Sequence, residues 1–346
     1  MSVLITGVTG HIGNVLARRL SCMGVPLRVL VLPGESVTPL EGICANIIVA
    51  DIRNEAEVRR AVAGCEYVFH LAGIIDITDR NADVLYDVNV LGTKNILKAC
   101  RLERVRRLIY TSSIHALRDD VDVIDEHLAL DLRPDMLVGH YAKSKAIALS
   151  HVQDAVKNGL DAVTVYPTGV IGPDDYRLSE IGRLLSYLTK HPRRRTQLGF
   201  EGAYNFVDVR DVVEGLILAW KKAPAGSDYI LSGDRISVEE IFHICAGQTG
   251  RRIKVRNVPL IWVKMASGIL AALSAMKLLR KKPLITRTSL HTLQVKGFID
   301  SGKARRELGF EPRPIRETIC DSIRWLQKTS PARRRSRRQG AVPQQG

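Results

Sequence analysis

The chain of 346 residues is short of several features that mark whole protein classes. Its six cysteines, at 22, 44, 65, 100, 245 and 320, form no C-x-x-C pair and no dense framework. That excludes a disulfide scaffold and a structural zinc site, and no metal is expected. It fits free thiols in a reducing compartment, so the expected location is cytoplasmic. The opening Met-Ser-Val-Leu-Ile-Thr-Gly has no basic n-region and no long apolar stretch before its first glycines, which argues against a secretory signal. Long hydrophobic runs are missing too. The most apolar segment, Val258 to Leu279, is interrupted by Lys264 and Lys277, leaving twelve uncharged residues from Met265 to Met276. A spanning helix needs about twenty. A packed helix is expected there rather than an interfacial anchor.

Acidic residues are also scarce, 36 against 51 lysines and arginines, and the formal net charge is +15. The basic residues cluster at Arg193-Arg194-Arg195, around Arg251 to Arg256, at Arg280-Lys281-Lys282, and at the end of the chain. The segment Pro331 to Gly346 holds five arginines and no acid, and reads as a disordered basic tail. Such charge is read as solvated surface, with weak peripheral contact to an anionic membrane as the alternative. No recognition helix, zinc spacing or aromatic–basic interleaving points to a specific nucleic-acid partner. A monomer or a homodimer is equally compatible.

What is present is a foldable core: 45% of residues are hydrophobic and 25% charged. Short β-branched runs at Val3–Thr6, Leu27–Leu32, Asn46–Ala50, Tyr67–Leu71 and Arg107–Thr111 read as strands. Helical spacing lies between them at Ile12–Met23, Glu55–Ala63 and Ala82–Arg101, and a further helix and strand follow at 141–158 and Ala162–Tyr166. This βαβα rhythm predicts an α/β fold with a doubly wound parallel sheet covered on both faces. Beyond Pro167 the alternation is less regular, with helices at Leu178–Lys190, Val209–Lys222, Val238–Gln248, Lys303–Leu308 and Ile315–Gln327. A smaller, interleaved C-terminal substrate lobe is the natural reading. The expected division is 1–166 with 200–232 for the nucleotide domain and 167–199 with 233–328 for that lobe, leaving 329–346 as the tail.

Thr6-Gly7-Val8-Thr9-Gly10-His11-Ile12-Gly13 follows the first strand and opens the first helix. There the glycines permit a tight turn and a close approach of backbone to a pyrophosphate, and the helix N-terminus offers free N–H groups. Gly7, Thr9, Gly10, His11, Ile12 and Gly13 are therefore candidate cofactor contacts. Asp51-Ile52 after the third strand is placed to meet the adenine edge, or else to cap a helix. At the end of the second strand an acid would bind the ribose 2′-OH and an Arg a 2′-phosphate. Leu32 is neither, and Glu35 lies beyond a Pro-Gly turn, so the sequence leaves NAD or NADP open.

Tyr141-Ala-Lys-Ser-Lys145 puts a phenol and an ammonium one helical turn apart, and Ile109-Tyr110-Thr111-Ser112-Ser113 ends a strand at the carboxyl edge, where α/β proteins bind ligands. Together with Phe69-His-Leu-Ala72-Gly73, Asn89-Val-Leu-Gly92-Thr93, Pro167-Thr-Gly-Val-Ile-Gly172-Pro173 and Asn205-Phe-Val-Asp-Val209, these motifs make nearly the whole chain to about residue 328 similar to the extended short-chain dehydrogenase/reductases. The chain thus resembles the NAD-dependent epimerase/dehydratase family, with a Rossmann-type fold. Phe69–Asp76 and Tyr110–Ile114 look most like its 3β-hydroxysteroid dehydrogenase and dihydroflavonol reductase branch.

The resemblance implies an NAD(P)-dependent oxidoreductase. Tyr141 would be the general acid/base, Lys145 would favour its phenolate and hold the nicotinamide ribose, and Ser113 would orient the substrate oxygen. Asn89 would support the lysine. Leu71, Ala72 and Gly73 would border the cofactor, with Pro167 and Val170 at the nicotinamide. Tyr166 stands where many relatives carry Arg. His115 reads as a plain loop histidine and His70 as packing at a strand end. The substrate implied is a small, hydrophobic alcohol or ketone. The alternatives are a sugar epimerase or dehydratase on the same fold, and a cofactor-binding regulator without turnover. Against the sugar reading, Tyr204 occupies the position of a diphosphate-binding Arg, and Ile114-His115 the position of an Asp-Glu pair.

Overall fold

The computed structural model describes residues 2–76, 82–190, 196–250, 254–275 and 287–329. The arginines at 193–195, the cluster at 280–282 and the tail from Pro331 lie outside the described residues.

The short apolar runs form β1 (Val3–Thr6), β2 (Leu27–Val31), β3 (Asn46–Val49), β4 (Tyr67–His70) and β5 (Arg107–Thr111). After the two-residue β6 (Val123–Ile124) come β7 (Ala162–Pro167), β8 (Gly169–Ile171), β9 (Thr196–Gly199), β10 (Ala203–Asp208) and β11 (Asp228–Leu231). The last strands are β12 (Arg235–Ser237), β13 (Lys254–Asn257) and β14 (Phe298–Ile299). Seven of them build one parallel sheet in the order β11-β7-β5-β4-β1-β2-β3. The order reverses between β1 and β4, which opens a ligand crevice at their carboxyl ends. β11 is not legible from the sequence pattern. It is four residues long and begins with Asp-Tyr, too little for a period-two pattern.

The helices that cover the sheet begin with α1 (His11–Cys22), α2 (Glu55–Val62), α3 (Ala82–Tyr86), α4 (Gly92–Leu102) and α5 (His140–Lys157). They continue with α6 (Glu180–Lys190), α7 (Val209–Lys222), α8 (Val238–Gln248), α9 (Leu260–Ala275), α10 (Arg287–Gln294) and α11 (Ile315–Thr329). Alternation along β1 splits the core in two. Val3 and Ile5 pack with Leu16, Leu20 and Val213 on the α1/α7 face, while Leu4 packs with Val58, Ile96 and Leu149 on the other. Truncating a side chain as buried as Leu4 to alanine costs about 2–5 kcal/mol. A second sheet, β12-β10-β8, joins the central one through the chain that leaves β7.

Two sequence expectations need correction. The run 82–101 is not one α-helix: a π turn, Asp87–Leu91, separates α3 from α4. The buried Asn89 lies at its centre. Its side chain is committed to the backbone of Ile74, and its carbonyl accepts the Thr93 hydroxyl at 2.7 Å. Apolar spacing continues through the turn, so periodicity cannot register the inserted residue. The segment from Val258 is helical but incompletely packed, for Ile261, Trp262 and Met265 on α9 are more than half exposed. Among the described residues no helix is long and apolar enough to cross a membrane.

Candidate active site

β1 delivers Thr6 to the carboxyl edge, and the chain then turns through Gly7 at φ +71°. A Cβ on Gly7 would lie 2.6 Å from the Ala72 amide nitrogen, and one on Gly13 would overlap the Gly7 carbonyl. Those two glycines are required by the fold itself. Gly10 differs: its Cβ would meet only the Gly7 oxygen, at 3.2 Å, and its outer side is open. Gly10 also caps α1 without a side-chain acceptor, so the first turn of α1 presents its N–H groups to the crevice. This cradle fits a dinucleotide pyrophosphate. Thr9 is buried beside it, and the His11 ring hydrogen-bonds the Pro173 carbonyl at 2.8 Å. Ile12 instead packs toward the core on the α1/α7 face.

Thr6 ties this turn to the next strand. Its Oγ1 accepts the amides of Leu71 and Ala72 at 3.2 and 3.1 Å and sits 2.8 Å from His70 Nδ1. Thr93 spends its proton on the Asn89 carbonyl, so its oxygen accepts from His70 Nε2 at 3.0 Å. His70 is therefore the Nε2–H tautomer, and Thr6 donates to Nδ1. Complete burial, aided by the nearby Lys145 charge, pushes its pKa down to about 3. More than packing at a strand end, His70 is a neutral strut between β1 and the π turn.

At the β3 exit, Asp51 accepts from Arg53 with both carboxylate oxygens, which holds its pKa below the usual range. The cap of α2 is Asn54, not Asp51. Ile52 is buried where Gly92 lets α4 approach: a Cβ on Gly92 would lie 2.5 Å from the Ile52 side chain.

β5 and α5 bring the second half of the site together. Ser113 is buried at the strand end, where its Oγ accepts the His115 amide at 3.3 Å, beside Tyr141. Burial raises the Tyr141 pKa and the Ser113 hydroxyl partly offsets that. Lys145, one turn along α5, is buried and donates to the Thr111 carbonyl at 2.8 Å, with its ammonium 5.1 Å from the Tyr110 ring centre. Burial depresses its pKa to about 8. Gly73 lies against both Asn89 and Lys145. Among the described residues Asn89 makes no hydrogen bond to the lysine. Its amide holds Ile74 N and O at 2.8 and 3.1 Å and Ser144 Oγ at 3.0 Å, and so reaches α5 one residue short of Lys145.

Pro167 ends β7 opposite Leu231, and Val170 lies half-buried in β8 opposite Val207. Between them Thr168 is buried with no hydrogen-bond partner for its hydroxyl, as is Thr111. Unsatisfied hydroxyls at this edge are what a polar ligand would complete. Tyr166 donates to Asp228 at 3.1 Å, toward β11.

His115 is a correction. It is half-buried, with its ring edge-on to Tyr141 at 6.2 Å and parallel to Tyr204 at 5.9 Å, and its Nε2 lies 3.3 Å from Tyr204 Oη. Burial pushes its pKa down to about 4. Tyr204 in turn meets Phe206 edge to face at 5.6 Å. No local signal could have found this wall, because Tyr204 lies on a strand of the other sheet, 89 residues along the chain.

A glycine turn at the switch point and a Ser-Tyr-Lys set at the same sheet edge define a dinucleotide-dependent enzyme. The model of the NAD dependent epimerase/dehydratase family matches residues 3–232, and the chain belongs to that family. Sterol demethylase protein B of Methylococcus capsulatus is 30% identical over 329 residues, covering 95% of this chain and 99% of that protein. A 4-hydroxy-2-methyl-3-oxo-4-farnesyl-3,4-dihydroquinoline-1-oxide ketoreductase of Stigmatella aurantiaca is 26% identical over 346 residues, covering 99% of each chain. The solved structure of a UDP-glucose 4-epimerase with UDP-glucose from Thermotoga maritima matches with a TM-score of 0.75 at 21% identity, covering 95% of this chain and 99% of that one. At that identity the likeness is one of fold. The chain is an NAD(P)-dependent enzyme of the extended short-chain dehydrogenase/reductase type.

Proposed function

We propose that the protein transfers a hydride between the nicotinamide cofactor and a hydroxyl or keto group of a small, hydrophobic substrate. One observation carries this reading: the Tyr141 phenol, beside Ser113, faces a wall made of the uncharged rings of His115 and Tyr204. The cofactor supplies or accepts the hydride when bound. Ser113 orients the substrate oxygen with its hydroxyl. Tyr141 gives that oxygen a proton in reduction and takes it back in oxidation. Lys145 offers a buried positive charge that favours the phenolate and holds the nicotinamide ribose. Asn89 acts on the lysine only through the loop at Ile74 and through Ser144. Gly7, Thr9, Gly10, His11 and Gly13 cradle the pyrophosphate. Asp51 and Ile52 border the adenine, Leu71 to Gly73 the ribose, and Pro167 and Val170 the nicotinamide.

The relatives' names support an apolar substrate, one being a sterol protein and the other a ketoreductase of a farnesyl compound. A nucleotide-sugar needs bidentate cations for its diphosphate, and the phenol of Tyr204 supplies none. Residues 1–166 with 200–232 would carry the cofactor and 167–199 with 233–328 the substrate. The six free cysteines support a cytoplasmic site of action. The test is turnover of hydrophobic ketones and secondary alcohols followed by cofactor absorbance, beside calorimetry with UDP- and dTDP-sugars. Ketone-dependent oxidation of the reduced cofactor is expected. Micromolar binding of a nucleotide-sugar with no response to the ketones would overturn the reading.

A further inference from the structure

From Ile241 to Ile299 the chain runs 59 residues without an aspartate or glutamate and carries eleven lysines and arginines. Its most apolar segment, Val258 to Leu279, lies in the middle of that run. β13 places Lys254 and Arg256 at the surface and leads directly into α9, with the Val258 amide donating to the Gly199 carbonyl at 2.9 Å. Glu239 of α8 reaches this strand and accepts from Asn257 Nδ2 at 3.1 Å. On α9, Val263 is buried against the protein. Ile261, Trp262 and Met265, at i, i+1 and i+4, share the outer face and are 62, 60 and 53% exposed. Ala266 and Gly268, also exposed, extend that face, and the exposed Lys264 stands at its rim.

Apolar side chains scattered singly over a surface are ordinary, but a tryptophan, an isoleucine and a methionine on one helix face mark a contact. The basic rim decides what fits it. A second copy of the chain would bring Lys254, Arg256 and Lys264 toward their own kind, whereas an anionic lipid surface complements them. An indole also suits the headgroup layer, where its ring is dry and its N–H stays wet. Among the described residues no helix can cross a membrane, so α9 would lie in the plane of the interface.

We propose that the outer face of α9, together with Lys254 and Arg256 of β13, docks the protein on an anionic lipid surface, with Ile261, Trp262 and Met265 entering the headgroup layer. The docked face is linked to the active site. α9 packs on α10, and α10 packs on β10, which carries Tyr204. His291 of α10 lies 2.9 Å from Asp119, four residues past His115. The apolar substrate proposed for this enzyme would concentrate in the bilayer, and α10 joins the docked face to the His115–Tyr204 wall. Lipid docking itself does not rest on that substrate.

The test uses the full-length protein without substrate, so its failure and that of the proposed reaction are distinct. Co-flotation is measured with vesicles of phosphatidylcholine alone and of phosphatidylcholine mixed with phosphatidylglycerol, at low and high salt. Binding to the anionic vesicles should be at least about tenfold tighter, the scale of one or two surface charges, and should weaken at high salt. Tryptophan emission should shift to the blue on binding, because Trp262 is far more exposed than Trp220 or Trp325. Trp262→Ser combined with Met265→Ser should weaken binding by at least about tenfold and leave the melting temperature unchanged. Trp262→Phe should bind and lose the blue shift, which decides the matter if the serine variant fails to fold. Three results would each overturn the proposal: no preference for anionic vesicles, a blue shift that survives Trp262→Phe, or serine-variant binding equal to wild type, as the arginines of the C-terminal segment alone would give. Self-association through α9 in place of vesicle binding would overturn it as well.

Discussion

Thr6 and His70, side by side at the ends of β1 and β4, share a hydrogen bond of 2.8 Å inside the core. Because both ring nitrogens of His70 are engaged and the site is dry, the imidazole stays neutral far below its ordinary pKa of about 6.5. Desolvation likewise pushes the His115 pKa down, to about 4.

Acid should therefore unfold the protein early. The folded pKa values are about 3 for His70 and about 4 for His115, so between those values and 6.5 the unfolded chain binds more protons. Stability is complete above pH 6.5 and falls as pH drops, by about 2 kcal/mol for each histidine at pH 5. Denaturant melts between pH 7 and 5 check this. A His115→Phe variant should show a shallower fall than wild type, and equal slopes would count against a buried neutral ring.

Turnover should depend on Tyr141. Tyr141→Phe keeps the ring and removes the proton carrier, so the rate should fall by about 10² or more while cofactor affinity survives. Steady-state rates beside a cofactor titration separate the two effects.

Lys145 sets the alkaline limit. Its ammonium is lost as pH rises through about 8, and with it the charge near the phenol and the cofactor. Cofactor affinity should weaken through that range in the wild type. Lys145→Met should bind weakly at every pH and show no such limb.

The glycines of the first turn should behave differently when substituted. Gly10 has room outward, so Gly10→Val should fold and lose cofactor binding, since the side chain enters the pyrophosphate space. Gly13→Ala would drive a methyl into the Gly7 carbonyl and should lower the melting temperature as well. Circular dichroism melts paired with cofactor titration distinguish them; unchanged affinity in a folded Gly10→Val variant would refute the cradle.

Local sequence was enough for the parallel α/β plan, the glycine turn and the Tyr141–Lys145 spacing, while Ser113 was joined to that pair only through the family resemblance. Each depends on neighbours a few residues apart: apolar period, a turn between strand and helix, or one helical turn between phenol and ammonium. Tertiary structure alone decided the rest. The strut from Thr6 through His70 to Thr93 spans 64 and 23 residues of chain, and the His115–Tyr204 wall joins two sheets. Glu35, three residues past Leu32 in sequence, returns to the strand end because the Pro33-Gly34 turn closes and the Leu32 amide donates to its carboxylate. Asn89 sits in the π turn with its side chain on the backbone of Ile74, because burial forces every polar group to find a partner. Such pairings are chosen by packing and by the cost of an unsatisfied buried dipole, and neither is written in the spacing of residues along the chain.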